Sequence, residues 1–286
     1  MQFRPKPLSR LLPQPKRLGE GRRMTIALGI LASDGVVIAA DAQETSGYFK
    51  GFALKIHEAM TQTSVHSTVQ SAIAVTGAGP GVYLDGIAEE IIRKFHGSQD
   101  SDIASFELHL KETLEDFYAR HVANKPSHID RTFELIVGAQ IEGSQGLWVT
   151  EASVVKPSLG FEAIGAGHPF ARMAIQNRAL YMDAQSAAIL SVLGVTLAKE
   201  YDQDCGKGTM VVFLKDNLAY TVPPYLVQEA EKLFARYAGI EHSAFLYALG
   251  KQAPDDLKRP RKINGWLRQL RKDFSELAAE FLKHKP

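Results

Sequence analysis

Residues 24–42, MTIALGILASDGVVIAADA, hold two short apolar runs on either side of Asp34-Gly35. An Asp-Gly pair between strand-like segments favours a tight reversal, because both residues tolerate the backbone angles that such turns require. The stretch therefore predicts an antiparallel hairpin, with Thr25 at the head of its first strand and Asp41 in its second. What precedes it has a different character. Residues 1–23, MQFRPKPLSRLLPQPKRLGEGRR, carry four prolines, many bases and no helical or strand period, and are expected to be disordered or removable. The change at Met24 is abrupt enough that the chain looks as though it begins a second time at Thr25.

Further along, SAIAVTG (71–77) reads as a buried strand ending at glycine. Two helices follow. In 83–96 the apolar residues Leu84, Ile87, Ala88, Ile91, Ile92 and Phe95 recur at helical spacing, and 103–123 repeats the pattern through Leu110, Leu114, Phe117 and Tyr118. Strands are expected at 133–141, 146–152 and 161–165, helices at 168–177 and 184–201, and strands again at 208–214 and 217–222. The order is strands, two helices, strands, two helices, strands. Each helix pair can cover one face of two stacked sheets, which predicts an α+β fold in four layers, helix-sheet-sheet-helix.

From Pro223 the chain reads as helical. Its last stretch, 263–284, sets Ile263, Trp266, Leu267, Leu270, Phe274, Leu277, Ala278, Phe281 and Leu282 on one face. Such a stripe is expected to pack on its own domain or on another subunit. Three segments result: a prefix at 1–23, a main domain at 24–222 and a helical extension at 223–286. No internal repeat is present.

The composition, 45% apolar and 23% charged over 286 residues, is that of an ordinary globular protein. The net charge of +1 conceals a division. Lys and Arg outnumber Asp and Glu seven to one in residues 1–23 and ten to five in 251–286, whereas the acids prevail twenty-six to sixteen between them. The basic ends read as solvated tails or docking arms, since no aromatic-basic, zinc or helix-turn-helix signature accompanies them, so no nucleic-acid partner is expected. No apolar run reaches the roughly 18 residues of a membrane span, and the prefix lacks the apolar stretch of a secretory signal. Cys205 is the single cysteine, which excludes an internal disulfide. A soluble, cytoplasmic protein is expected.

Several familiar chemistries drop out on spacing. VTGAGPG (75–81) follows a strand and precedes a helix, but Gly77, Gly79 and Gly81 give GxGxG, not the dinucleotide fingerprint. DCGKGTM (204–210) puts Gly208 where a phosphate loop needs Ser or Thr after its lysine, and it leads into a strand. The nine histidines show no metal-ligand spacing, and His168 reads as a helix-start residue. No cofactor and no metal are expected. Cys205 has no nearby partner base and reads as a buried structural thiol.

Thr25 remains. A hydroxyl nucleophile needs a base, and an N-terminal threonine carries one in its own α-amine, whose ordinary pKa of about 7.7 to 8.0 lies close to neutrality. A neighbouring lysine would lower that amine further, and a backbone N–H at a glycine turn would hold the oxyanion.

The stretch from Thr25 through GVVIAADAQETSGYFKGFALKI, then IAVTGAGPG, EAIGAG and YDQDCGKGTMVVFL, resembles the β-type subunits of the proteasome and their bacterial ring-protease relatives, over about residues 24–215. The resemblance implies roles for particular residues. Thr25 is the N-terminal nucleophile, Asp41 the carboxylate beside the lysine, Lys55 the catalytic lysine and Gly77 the oxyanion-binding turn. Asp202 and Cys205 fall on the family's Asp-x-x-Ser-Gly element, and Thr45 on its substrate-groove threonine. It further implies a peptide or unfolded-protein substrate, a homo-oligomeric ring, and an ATPase or regulatory partner. Two positions depart from the pattern, Ala166 and Cys205 standing where the family has serine. Loss of a supporting hydroxyl is expected to cost about 1 to 3 kcal/mol, roughly ten- to a hundredfold in rate, weakening catalysis without abolishing it.

This chemistry requires Thr25 to be the first residue. Either the prefix is cleaved, or translation starts at Met24 and the initiator is trimmed; Met24 in place of the usual glycine favours the second route, or an assigned start placed too early. Two other functions fit the same fold: a non-catalytic ring subunit that keeps its N-terminal extension, and an amidase acting on a small molecule.

Overall fold

The computed structural model describes residues 25–46, 49–61, 71–97, 102–126, 132–176, 182–248, 260–281 and 283. The prefix 1–23 and Leu282 of the C-terminal stripe lie outside them. The first two strands are β1 (Ile26–Leu31) and β2 (Gly35–Asp41), the antiparallel hairpin expected from residues 24–42. Its reversal is a three-residue loop, closed by Ala32 N–H donating to the Gly35 carbonyl at 2.9 Å.

A short hairpin of β3 (Gln43–Ser46) and β4 (Phe49–Phe52) follows, then β5 (Ile56–Thr61) and β6 (Ser71–Ala78). Next come α1 (Gly81–Gly97) and α2 (Ile103–Phe117), the latter ending in a π-helical turn at Tyr118–Val122 where the sequence suggests one continuous helix. Strands β7 (Glu134–Ile141), β8 (Ser144–Glu151), β9 (Val154–Pro157) and β10 (Phe161–Gly165) lead to α3 (His168–Ile175) and α4 (Ala184–Tyr201). The chain continues through β11 (Thr209–Lys215) and β12 (Leu218–Thr221) to α5 (Pro224–Ala248) and α6 (Pro260–Phe281).

Two five-stranded antiparallel sheets, ordered β10-β1-β2-β11-β12 and β5-β6-β7-β8-β9, stack face to face. Period-2 alternation assigns each residue to a layer. Leu28, Ile30, Val37 and Ala39 point to α3 and α4, whereas Ala27, Val36, Ile38 and Ala40 point to the opposite sheet. The second sheet turns Ile73, Val75, Leu135 and Val137 toward α1 and α2, and Ala72, Ala74 and Ile136 toward the first sheet. The fold is α+β, in the four layers helix-sheet-sheet-helix. Two glycines let the sheets close: a Cβ on Gly29 would stand 2.7 Å from Ile136 and Leu147, and one on Gly138 2.8 Å from Val36.

Helices α5 and α6 pair with each other through Phe234 and Phe274, whose ring centroids lie 5.2 Å apart, and through an Arg236–Asp273 ion pair of 2.7 Å. Leu270, Leu277 and Phe281 are buried in the same core as α4, so that half of the C-terminal stripe packs on its own chain. Trp266 and Leu267, nearer the start of α6, are exposed at 38% and 40%.

Four strands had no signal in sequence periodicity: β3, β4, β5 and β9. QETS is polar throughout, β5 is half-buried along most of its length, and β9 carries Pro157, which a sheet accepts at an edge such as the one β9 occupies.

Asp34 ties the first hairpin to α4, accepting from Ala184 N–H at 2.8 Å and from Lys215 Nζ at 2.6 Å. Burial raises its pKa, but these donors together outweigh burial and hold the carboxyl below its ordinary value. A depressed folded-state pKa contributes stability that is complete above the unfolded value near 3.9 and is lost as pH falls through the folded one. Stability should therefore rise with pH across that acidic window, and Asp34→Asn should flatten the rise by no more than about 1 kcal/mol, since the pair is partly exposed. Urea unfolding at several acidic pH values measures both slopes.

Candidate active site

Pairing of Ala27 with Ala40 sets the head of β1 beside the tail of β2, so a separation of sixteen residues becomes side-chain contact between Thr25 and Asp41. Lys55, in the link between β4 and β5, reaches the same point from the second sheet. Thr25 Oγ1 donates to Asp41 Oδ1 at 2.5 Å and accepts from Lys55 Nζ at 2.5 Å, while Lys55 Nζ donates to Asp41 Oδ1 at 2.8 Å.

Asp41 is fully buried and Lys55 keeps 15% of its side chain exposed. A carboxylate in such a place needs charge and hydrogen bonds to offset desolvation. Ile26 N–H supplies a further donor to Oδ1 at 3.2 Å, and Gly206 N–H binds Oδ2 at 2.9 Å. The result is a hydroxyl held between an ammonium, whose charge stabilises negative charge developing on Oγ1, and a carboxylate that orients the hydroxyl and neutralises the lysine.

A cavity of about 380 Å³ opens beside Thr25 and Lys55. Val75, Leu84 and Leu135 make apolar walls, Gln43 and Gly77 polar ones, and His57 Nε2 lies 3.4 Å from Asp85 Oδ1. Gly77 stands one residue past the last β5–β6 pair, Ile56 with Thr76. Any larger residue is barred there, because a Cβ would meet Leu84 at 2.5 Å and the Glu134 carbonyl at 2.8 Å.

The remaining sequence candidates lie in two places. Thr45 is on β3, in register with Lys50 of β4. Asp202 caps α4 and turns its carboxylate to its own loop, accepting from Asp204 N–H at 2.8 Å, with no bond to Thr25 among the described residues. Cys205 is buried within that loop, and a Cβ on Gly167 would stand 2.8 Å from its Sγ. Burial first, then the charges of Asp41 and Asp202, push its thiol up to about 12, against a smaller opposing pull from Lys55 and a hydrogen bond to Gly167. It stays protonated at neutral pH. A second cavity of about 1050 Å³ runs past Gly165, Ala166 and Asp202, with Glu134, Glu162 and Arg172 on its walls.

Sequence reasoning missed Gly206 and Gln43. Gly206 follows Cys205 in DCGKG, and only the fold brings its N–H to Asp41, 165 positions away. Gly165 is a third omission. It pairs with Ile26 at φ +87°, and a Cβ there would come 2.3 Å from the Thr25 carbonyl oxygen. Gly165→Ala is expected to destabilise the protein by at least about 2 kcal/mol, combining the left-handed backbone penalty with displacement of Thr25. Chemical denaturation of that variant measures the loss.

Among the described residues, no group of three His, Cys, Asp or Glu side chains could hold a metal ion, and no helix is long and apolar enough to cross a membrane. No protein-family model matches the chain, and no curated protein matches it in sequence. Solved structures do match. The Anbu complex from Pseudomonas aeruginosa, described as a helical assembly, superposes with a TM-score of 0.60 at 14% identity, over 76% of this chain and 96% of that one. Anbu, the ancestral β-subunit, from Yersinia bercovieri gives 0.59 at 16% identity, over 78% and 96%. A Gly-1 mutant of Anbu from Hyphomicrobium sp. strain MC1 gives 0.60 at 14%, over 81% and 99%. The chain therefore has the fold of these proteasome β-like proteins, and the resemblance read from the sequence holds at the level of fold.

Proposed function

We propose that this protein is a threonine-type endopeptidase in which Thr25, once it is the N-terminal residue, attacks the peptide carbonyl. The observation that carries the reading is the Thr25–Lys55–Asp41 contact set, at 2.5 to 2.8 Å. An α-amine freed at Thr25 takes the Oγ1 proton as the C–O bond forms. Lys55, beside Oγ1, favours the alkoxide and keeps that amine neutral, and the Gly77 N–H receives the oxyanion. Collapse of the tetrahedral adduct passes the proton to the leaving amine and leaves an ester on Thr25. Water, deprotonated by the same α-amine, then releases the acyl product. Asp41 neutralises Lys55 throughout and orients the hydroxyl. Asp202 and Cys205 support this centre through the loop that carries Gly206, and Thr45 belongs to the substrate groove.

The cavity beside Thr25 takes the acyl-side residue of an unfolded peptide, with Val75, Leu84 and Leu135 offering apolar contact and Gln43, His57 and Asp85 polar contact. Self-association fits the same reading. The fold neighbour from Pseudomonas forms a helical assembly, and Trp266 and Leu267 present apolar surface on α6. A ring or helical homo-oligomer would also enclose a peptide-cleaving centre, with an ATPase or regulatory partner feeding it.

A non-catalytic structural subunit is the second reading. It is favoured by Ala166 and Cys205, which lack the hydroxyls that would steady the terminal amine. One experiment separates the two: N-terminal sequencing of the protein from its native source, followed by assay of that material on a quenched peptide library. A chain starting at Thr25 that cleaves peptides supports the peptidase. A chain retaining residues before Thr25, with no cleavage, leaves the amine acylated and favours the structural subunit.

A further inference from the structure

Asp41 Oδ1 serves three donors at once, Thr25 Oγ1, Lys55 Nζ and Ile26 N–H, and a carboxylate free to rotate about its last bond would not do so reliably. Its other oxygen is held by Gly206 N–H at 2.9 Å, so the loop 202–208 fixes the carboxylate plane. What fixes the loop is therefore part of the site. Cys205 N–H and Asp204 N–H close it internally on Asp202. From outside, Ala42 N–H donates to the Gly208 carbonyl at 2.8 Å, Lys50 Nζ to Gln203 at 2.6 Å and Gln43 Nε2 to Asp204 at 3.2 Å.

Gln43 differs from the other two anchors in three respects. Its side chain is nearly buried, at 4% exposure, whereas Lys50 is exposed. It packs directly on the glycine that serves Asp41, since a Cβ on Gly206 would fall 2.4 Å from Gln43 Oε1. It also lines the cavity beside Thr25. A side chain just outside β2 thus braces the loop on one side and meets the cavity on the other.

We infer that Gln43 is a positioning residue, holding Gly206 N–H on Asp41 and thereby aiming the Asp41 carboxylate at Thr25 and Lys55. Its effect on turnover rests on the peptidase reading; its effect on the loop does not. Removing the amide donor while keeping the volume, as in Gln43→Met, removes its bond to the Asp204 carbonyl and lets the loop open locally. Local opening exposes its amides without unfolding the sheets.

The test measures hydrogen exchange of the full-length protein by mass spectrometry at single-residue resolution, in wild type, Gln43→Met and Gln43→Glu. The second variant is isosteric and equally unable to donate when ionised, and it decides the matter if the first does not fold. The expected result is a loss of Gly206 amide protection of at least roughly tenfold, with amides of β1 and β2 unchanged. In the mature enzyme kcat falls by about tenfold to a hundredfold while KM stays within about threefold, because misaimed groups affect the transition state more than binding. Unchanged Gly206 protection in a folded variant overturns the inference. So does an equal loss across β1, β2 and the loop, which would make Gln43 a packing residue only. If wild type itself cleaves no peptide, the exchange result still decides the role of Gln43, and the peptidase reading fails separately.

Discussion

Thr25→Ala should abolish acylation, with turnover of peptide substrates falling by about 10⁴-fold or more, as when a nucleophile acting with its neighbours is deleted. The structure limits what else changes. Thr25 Oγ1 gives one hydrogen bond to Asp41 and receives one from Lys55, and these two partners still meet at 2.8 Å without it. Two charge-assisted hydrogen bonds are lost, but their partners still satisfy each other, so the stability cost should be only about 1 to 2 kcal/mol. The variant should fold and assemble like wild type, retain peptide binding in the cavity, and fail to take up a covalent label from a peptide electrophile. Intact mass after labelling is the direct readout. Unchanged turnover would refute the assignment of Thr25 as nucleophile.

Lys55→Ala should be equally inactive for another reason, and it should also be less stable. Removing the ammonium takes away the charge beside Oγ1 and strands the fully buried Asp41 carboxylate with only hydrogen-bond donors. Breaking one side of a buried pair typically costs about 3 to 5 kcal/mol. The lysine keeps a little exposure, so the lower end is expected. Two measurements separate this residue from Thr25: urea denaturation, in which only Lys55→Ala shifts strongly, and the double variant Lys55→Ala/Asp41→Asn, which removes the stranded charge. The double variant should regain a substantial part of the stability and none of the turnover. A fully active Lys55→Ala protein would remove lysine from the mechanism.

Much of the architecture was legible because most of its segments carry a clear period. Residues 26–31 and 35–40 are apolar and bounded by a turn, and α1 and α2 repeat at helical spacing. The strands that escaped notice are those whose surroundings give little periodicity: the polar β3, the half-buried β5, and β9 with its edge proline. In the site, Asp41 was placed by the family resemblance, because the register that makes it a neighbour of Thr25 depends on a loop at residues 32–34, not on the Asp34-Gly35 turn read from the sequence. Lys55 rested on the family resemblance, for nothing in ALKI announces which way a lysine will point.

Local sequence determined most of the elements of this protein, their order and the layering they permit, because propensity, turn chemistry and periodicity act over a few residues. The family resemblance, not any local pattern, supplied Asp41, Lys55 and Gly77 beside Thr25 as the groups worth watching. Tertiary structure alone decided that Gly206 would serve Asp41 from 165 positions away, that Gln43 would brace the loop carrying it, and that Gly165 would have no room for a side chain beside Thr25. Those contacts join segments far apart in the chain. Their geometry is set by how two sheets stack and where their loops converge, which no local pattern encodes.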